Sequence, residues 1–209
     1  MCSSDLDLSN FDGMFCMGGP MDTYMEKEYS WLIEEKKRIK EFVVDLKKPY
    51  LGFCLGCQLL GEVIGGNVVK SSPAEIGMMN INFTEEKNQD NLFSKFPDKI
   101  KSLQWHSYEV QGIEDNKDVT LLASSPVTKY QIFKYKNHAY GVQFHIEIKD
   151  TTVNDWGCVP EYKKALEDQL GDELETIRVA GVIRPQDISP KNSVYSYQVA
   201  KAEIKVKKI

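Results

Sequence analysis

The stretch PYLGFCLGCQLLGEVIGG, from Pro49 to Gly66, decides the architecture of this chain. Pro49-Tyr50-Leu51-Gly52-Phe53 is a short apolar run, the pattern of a strand buried on both faces. Leu55, Leu59, Leu60, Val63 and Ile64 then recur at helical spacing, and Gly65-Gly66 stops the helix. Strand passes into helix at Cys54, with glycine two residues to either side. A side chain presented on so sharp a turn stands on strained backbone, and the chain can pass only if its near neighbours lack bulk. The same turn sets the thiol at a helix N-terminus, where unpaired N–H groups and the helix dipole attract negative charge on sulfur, the form that attacks a carbonyl carbon.

Upstream, Met14-Phe15-Cys16-Met17 lies between Gly13 and Gly18-Gly19-Pro20 and has the same buried-strand character. Met25, Tyr29, Leu32, Ile39, Val43 and Leu46 mark a long amphipathic helix starting at about residue 25, with Asp22 or Thr23 as its cap. Strand, helix, strand, helix predicts a parallel sheet covered on both sides. Beyond Val68 the pattern becomes β-rich, with strands expected around residues 76–83, 101–106, 119–123, 131–135 and 139–144. Residues 151–170 read as helical, with Trp156 as a core anchor. Residues 178–209 mix short β-like runs with Arg184-Pro185, Ser189-Pro190 and a lysine-rich end, and read as a separate segment.

Composition narrows the function classes. With 209 residues, 42% hydrophobic and 27% charged, the chain has the make-up of one soluble domain with an appendage, and no window approaches a membrane span. A net charge of -5 and the lack of a basic stripe argue against nucleic acid. No secretory signal is found at Met1, so a cytoplasmic location is expected. Cys2, Cys16, Cys54, Cys57 and Cys158 are odd in number without framework spacing, as expected of reduced thiols.

Gln143-Phe144-His145-Ile146-Glu147 ends the last of the predicted strands. Residues two apart on an extended chain face the same side, so His145 and Glu147 can stand together, the carboxylate holding one ring nitrogen while the other meets the thiol. The backbone N–H of Leu55 points at a developing oxyanion, and Gly18-Gly19 can present a second N–H because no side chain blocks close approach. His106 reads as a strand end, and His138 as a surface residue in a turn.

From Phe11 to about Trp156 the chain resembles the class I glutamine amidotransferases, and among them the stand-alone proteins similar to the glutaminase domain of GMP synthase. The matching pieces are Phe11-Asp12-Gly13 leading to Gly18-Gly19-Pro20, the run Gly52-Phe53-Cys54-Leu55-Gly56-Cys57-Gln58, Trp105-His106-Ser107, and Gly141 to Glu147. The resemblance implies a flavodoxin-like α/β three-layer sandwich with a mostly parallel central sheet. It implies that Cys54 is the nucleophile, His145 the base and Glu147 its orienter; that Gly19 and Leu55 form the oxyanion hole; and that Gly18, Gln58, Ser107 and Tyr108 contact the substrate. The substrate would be glutamine or another γ-glutamyl compound, with no cofactor and no metal, and any ammonia acceptor would belong to a separate synthetase.

Three departures accompany the resemblance. The family begins with a strand, a helix and a strand before the position matching Phe11; these are not found here, an unpaired apolar sheet edge is expected in consequence, and the residues before Phe11 read as a foreign leader. Ile146 stands where the family has proline. The run from Arg178 to Pro190 and beyond resembles the C-terminal part of bacterial flagellar L-ring proteins. The expected division is therefore a leader over 1–10, an amidotransferase domain over 11–172 and a tail over 173–209. Two rival readings remain: a truncated or chimeric chain without turnover, and a thiol-disulfide protein built on Cys54-Leu55-Gly56-Cys57.

Overall fold

The computed structural model describes residues 6–146, together with 148, 152, 156, 159, 160, 164, 177–180 and 201–204. Glu147, Cys2, Cys158 and most of the tail lie outside the described residues.

The apolar run around Leu51 forms β2 (Tyr50–Phe53), which lies between two parallel neighbours, β1 (Met14–Cys16) and β7 (Ala139–Val142). Between them in sequence come β3 (Asn67–Phe83), β4 (Lys99–Gln111), β5 (Val119–Ser124) and β6 (Ile132–Tyr135), all joined antiparallel. The order across the sheet is β1-β2-β7-β6-β5-β3-β4, so a parallel core of three strands is extended by antiparallel ones into a mixed sheet. The sheet curls. Leu103 of β4, at the far end of the strand order, forms a bridge to His145 just beyond β7. In the tail, β8 (Ile177–Ala180) and β9 (Lys201–Ile204) pair antiparallel as a separate two-stranded sheet.

One face of the sheet is covered by α1 (Trp31–Lys40) and α2 (Leu55–Val63), whose Leu32, Ile39, Leu59 and Leu60 join Tyr50, Val110 and Phe133 in a buried cluster. On the other face Phe53, Ile81, Ile132 and Val142 meet Phe93, and Phe83 and Phe96 pack at its margin. Asp90 fastens this aromatic segment: its carboxylate accepts from the N–H groups of Leu92 and Phe93, from Lys134 Nζ at 2.8 Å and from the Tyr140 hydroxyl at 3.1 Å. No helix among the described residues is long and apolar enough to cross a membrane.

Several local expectations need correction. The first helix starts at Trp31 rather than near Met25, and continues through a π-helical turn at Glu41–Asp45. Residues 22–30 instead form successive turns, because Thr23 takes tertiary partners in place of a capping role: its hydroxyl donates to Glu62 at 2.6 Å and its carbonyl accepts from Lys36 at 2.9 Å. Met25 and Tyr29 still pack on the core, which is why they kept a helix-like spacing. β3 runs from Asn67, well before the expected start at 76, since the Ser71–Pro73 region that reads as a breaker is held as a bulge within one long strand. His138 is half-buried, its Nε2 set 2.9 Å from the Val43 carbonyl, and is not a surface residue. Leu8, in a short 3₁₀ turn (Leu8–Asn10), is buried, and Lys48 Nζ donates to the carbonyls of Leu8, Ser9 and Phe11. Phe15 on the edge strand β1 is 72% exposed.

Candidate active site

Three parallel strands end side by side, and ligands of such sheets bind beyond their carboxyl ends. Past β1 lie Gly18 and Gly19, past β2 lies Cys54, and past β7 lies His145. The elbow at Cys54 is as tight as its glycines require. A Cβ on Gly52 would stand 2.4 Å from the Gly56 carbonyl carbon, and one on Gly56 would stand 2.3 Å from the Cys16 carbonyl oxygen, so strand, turn and helix share a space that only hydrogen can fill. Tyr50 ties the turn down by donating to the Gly56 carbonyl at 2.8 Å, and the Cys54 N–H donates to Val142 O at 2.9 Å.

Cys54 itself has φ 49° and ψ −103°, outside the regions open to side chains without strain, and is the N-cap of α2. It is 6% exposed. The first N–H groups of the helix have no intrahelical acceptor and are aimed past it. Gly18 sits between the thiol-bearing residue and the imidazole: a Cβ there would lie 3.4 Å from Cys54 Cβ and 3.1 Å from His145 Cε1, so the two side chains flank one point. Gly19 is the neighbour of Leu55, whose Cδ2 would be 3.2 Å from a Cβ on that glycine. Both residues expected at the oxyanion thus meet on one wall.

His145 is buried, but it does not end a strand as expected: β7 stops at Val142. The chain beyond is held by single bonds, Gln143 N–H to Gln131 O and His145 N–H to Leu103 O, each 2.9 Å, with the Ser102 hydroxyl donating to the His145 carbonyl at 3.0 Å. The ring of Trp156 stands edge-on to the imidazole, centroids 4.6 Å apart, and also against Trp105 at 5.7 Å. The sequence marks Trp156 only as a core anchor; its contact with the imidazole carries no spacing signal. Thr152, Trp156, Pro160 and Lys164 carry helical backbone. The residue two beyond His145, Glu147, is among those not described.

A cleft of about 620 Å³ opens beside Cys54, lined by Gly19, Cys54, Leu55, Gln58, Ser107 and Tyr108 among others. Gln58 is buried, its Nε2 donating to the Tyr108 carbonyl at 3.0 Å and to Gln143 Oε1 at 3.3 Å, so it braces the cleft wall. Next to Tyr108, β3 leaves Ser107 without a ladder partner: Lys70 pairs with Tyr108 and Glu75 with His106, and the register shifts across residues 71–74. The Tyr24 and Tyr108 hydroxyls meet at 3.1 Å across the mouth, a contact between the turn before α1 and strand β4 that sequence spacing does not reveal.

The other thiols are placed differently. Cys57 is fully buried against the position of Gly141, and burial pushes its thiol well above the usual range. Cys16 is buried on β1, and burial followed by the nearby Glu35 charge pushes its thiol up to about 12. Cys54 and Cys57 are both free, and a core thiol of this kind is a poor partner for exchange at the surface.

Comparison with known proteins gives the family of the chain. The family glutamine amidotransferase class-I matches residues 2–155, and the family flagellar L-ring protein matches residues 167–208. The chain is similar to one subunit of the glutamine-hydrolyzing GMP synthase from Picrophilus torridus, 36% identical over 145 residues that span 69% of this chain and 71% of that protein. It is also similar to the corresponding protein of Sulfolobus acidocaldarius, 32% identical over 146 residues, 69% of this chain and 72% of that one. Among solved structures, a glutamine amidotransferase from Thermotoga maritima superposes with a TM-score of 0.67 at 30% identity, covering 80% of this chain and 69% of that one. The elbow, the imidazole beside it and a family match over most of the length lead to one conclusion: this chain belongs to the class I glutamine amidotransferases.

Proposed function

We propose that the chain hydrolyses the side-chain amide of glutamine through a thioester on Cys54. The observation that carries this reading is Cys54 on strained backbone at the start of α2, with His145 flanking the same glycine. His145 takes the thiol proton as sulfur attacks the amide carbon, and the N–H groups of Leu55 and Gly19 receive the charge that gathers on oxygen. The C–N bond then breaks, the proton passes from His145 to the leaving nitrogen, and ammonia departs. Water deprotonated by His145 attacks the thioester, and glutamate leaves as the thiol reforms. Glu147 orients the imidazole in this scheme. Gly18 leaves room between nucleophile and base and, with Gln58, contacts the substrate, while Ser107-Tyr108 hold its α-amino and α-carboxylate end.

Both of those relatives are, by name, single subunits of a GMP synthase, which supports transfer of the released ammonia to a separate synthetase partner. The amidotransferase unit is assigned to residues 11–172, and residues 173–209 to a tail outside this chemistry. Purified full-length chain incubated with glutamine is expected to release ammonia and glutamate one to one, and Cys54→Ala to reduce the rate at least about 1,000-fold. A folded wild-type chain that releases none is a non-catalytic relative, and the proposal is then wrong.

A further inference from the structure

The proposed chemistry leaves a buried carboxylate–imidazole pair unused. Glu75 and His106 are both inside the protein, 2% and 5% exposed, with His106 Nε2 3.4 Å from Glu75 Oε2. They are the first residues to re-pair where the bulge of β3 closes, Glu75 opposite His106, directly beside the unpaired Ser107. The imidazole is held from its other side as well: Nδ1 lies 2.9 Å from the Tyr108 carbonyl. That carbonyl also accepts from Gln58 Nε2 at 3.0 Å, so the imidazole and α2 grip the same peptide group. Glu75 in turn is anchored by Gln131 Nε2 at 2.7 Å, and Gln131 by Gln104 at 2.8 Å, a chain of buried side chains linking β3 and β4 to the residue just before β6. Burial alone would raise the Glu75 carboxyl, but the polar groups of His106, Ser125 and Thr128 around it outweigh burial and keep the acid below its usual range.

We infer that Glu75 is a positioning residue for substrate binding, acting through His106: it fixes the imidazole so that Nδ1 pins the Tyr108 carbonyl and holds the Ser107-Tyr108 backbone open toward the cleft. The imidazole is tied to the Tyr108 carbonyl, so the pair acts on how tightly the substrate's α-end is held. The inference rests on the reading of Ser107-Tyr108 as the substrate-holding segment.

The experiment is steady-state glutaminase kinetics on the full chain, paired with the rate at which iodoacetamide alkylates Cys54, followed by peptide mass spectrometry. A displacement of ~1 Å costs about 100-fold in a positioned site, and loss of one anchor should cost a fraction of that. Glu75→Ala is expected to raise KM for glutamine about tenfold with kcat changed less than about twofold and Cys54 alkylation unchanged. Glu75→Gln can donate to His106 Nε2 while accepting from Gln131, and should restore KM to within about threefold of wild type. His106→Asn keeps a donor at the Nδ1 position and should also stay within about threefold, whereas His106→Leu should match Glu75→Ala. Glu75→Gln and His106→Asn keep the interior hydrogen-bonded and serve if the more drastic variants do not fold. An unchanged KM in Glu75→Ala and His106→Leu overturns the inference, as does a fall of kcat and alkylation together at constant KM. If neither of these folds, KM beyond about threefold in Glu75→Gln or His106→Asn overturns it. A wild-type chain that releases no ammonia sinks the glutaminase reading itself, and this inference with it.

Discussion

The strain at Cys54 can be weighed without any catalytic assay, by comparing two variants that both lack the thiol. At φ 49° and ψ −103° the residue sits outside the small left-handed basin, so a side chain there costs about 3 kcal/mol, the upper end of the usual range of 1–3. Cys54→Ala keeps that cost, because alanine retains Cβ. Cys54→Gly removes it, but glycine loses about 1 kcal/mol more conformational freedom on folding and gives up one buried methyl worth about 0.8 kcal/mol. The balance favours glycine by about 1 kcal/mol, or roughly 2–4 °C in Tm for a protein of this size. Thermal unfolding followed by circular dichroism, with urea titration as a second measure, gives the difference directly. Both variants should be inactive, and the glycine variant should be the more stable. If Cys54→Ala equals or exceeds Cys54→Gly in stability, the elbow stores no strain and the argument from backbone geometry to a presented nucleophile is refuted.

Gly18→Ala places a methyl 3.1 Å from His145 Cε1, closer than ordinary contact, so the imidazole must give way by a few tenths of an ångström. The expected result is a drop in kcat of about tenfold with Tm almost unchanged, and wild-type turnover would show that the ring does not need its present place. Asp90→Asn strips Lys134 of its ion pair and should lower stability by about 2–3 kcal/mol in urea unfolding at pH 7. Burial raises the Asp90 carboxyl, but Lys134 and the N–H groups of Leu92 and Phe93 more than offset it, so the folded pKa lies below the ordinary value of 3.8. With the folded value depressed, this stabilisation is complete above the unfolded pKa and is lost as pH falls through the folded one. The difference between wild type and Asp90→Asn should therefore shrink below about pH 4, and a difference that persists to pH 2 would contradict the assignment.

How much of this was legible in the residues differs from element to element. Cys54 between Gly52 and Gly56, with apolar runs on either side, announces a strand-to-helix elbow because both signals are local: spacing sets the buried face, and the absence of side chains permits the bend. The parallel arrangement of β1 and β2 followed for the same reason, each being a short apolar strand separated from the next by a helix. The start of α1 did not, since Met25 and Tyr29 are half-buried by packing and not by belonging to the helix, and Thr23 spends its hydroxyl on Glu62. The length of β3 was hidden by Ser71, Ser72 and Pro73, which punctuate a sequence but only arch within a strand when β4 holds both ends.

By itself the sequence determined which residues have the chemistry: a thiol at a bend, glycines where backbone must come close, an imidazole far along the chain. Only the tertiary structure decided that these stand around one point, where a Cβ on Gly18 would touch Cys54 on one side and His145 on the other, and that Glu75, read merely as part of a β-rich region, stands beside His106. The physical reason is that periodicity records which face of an element is buried. It does not record what lies against that face, which is fixed by the curl of the sheet and the packing of strands distant in sequence.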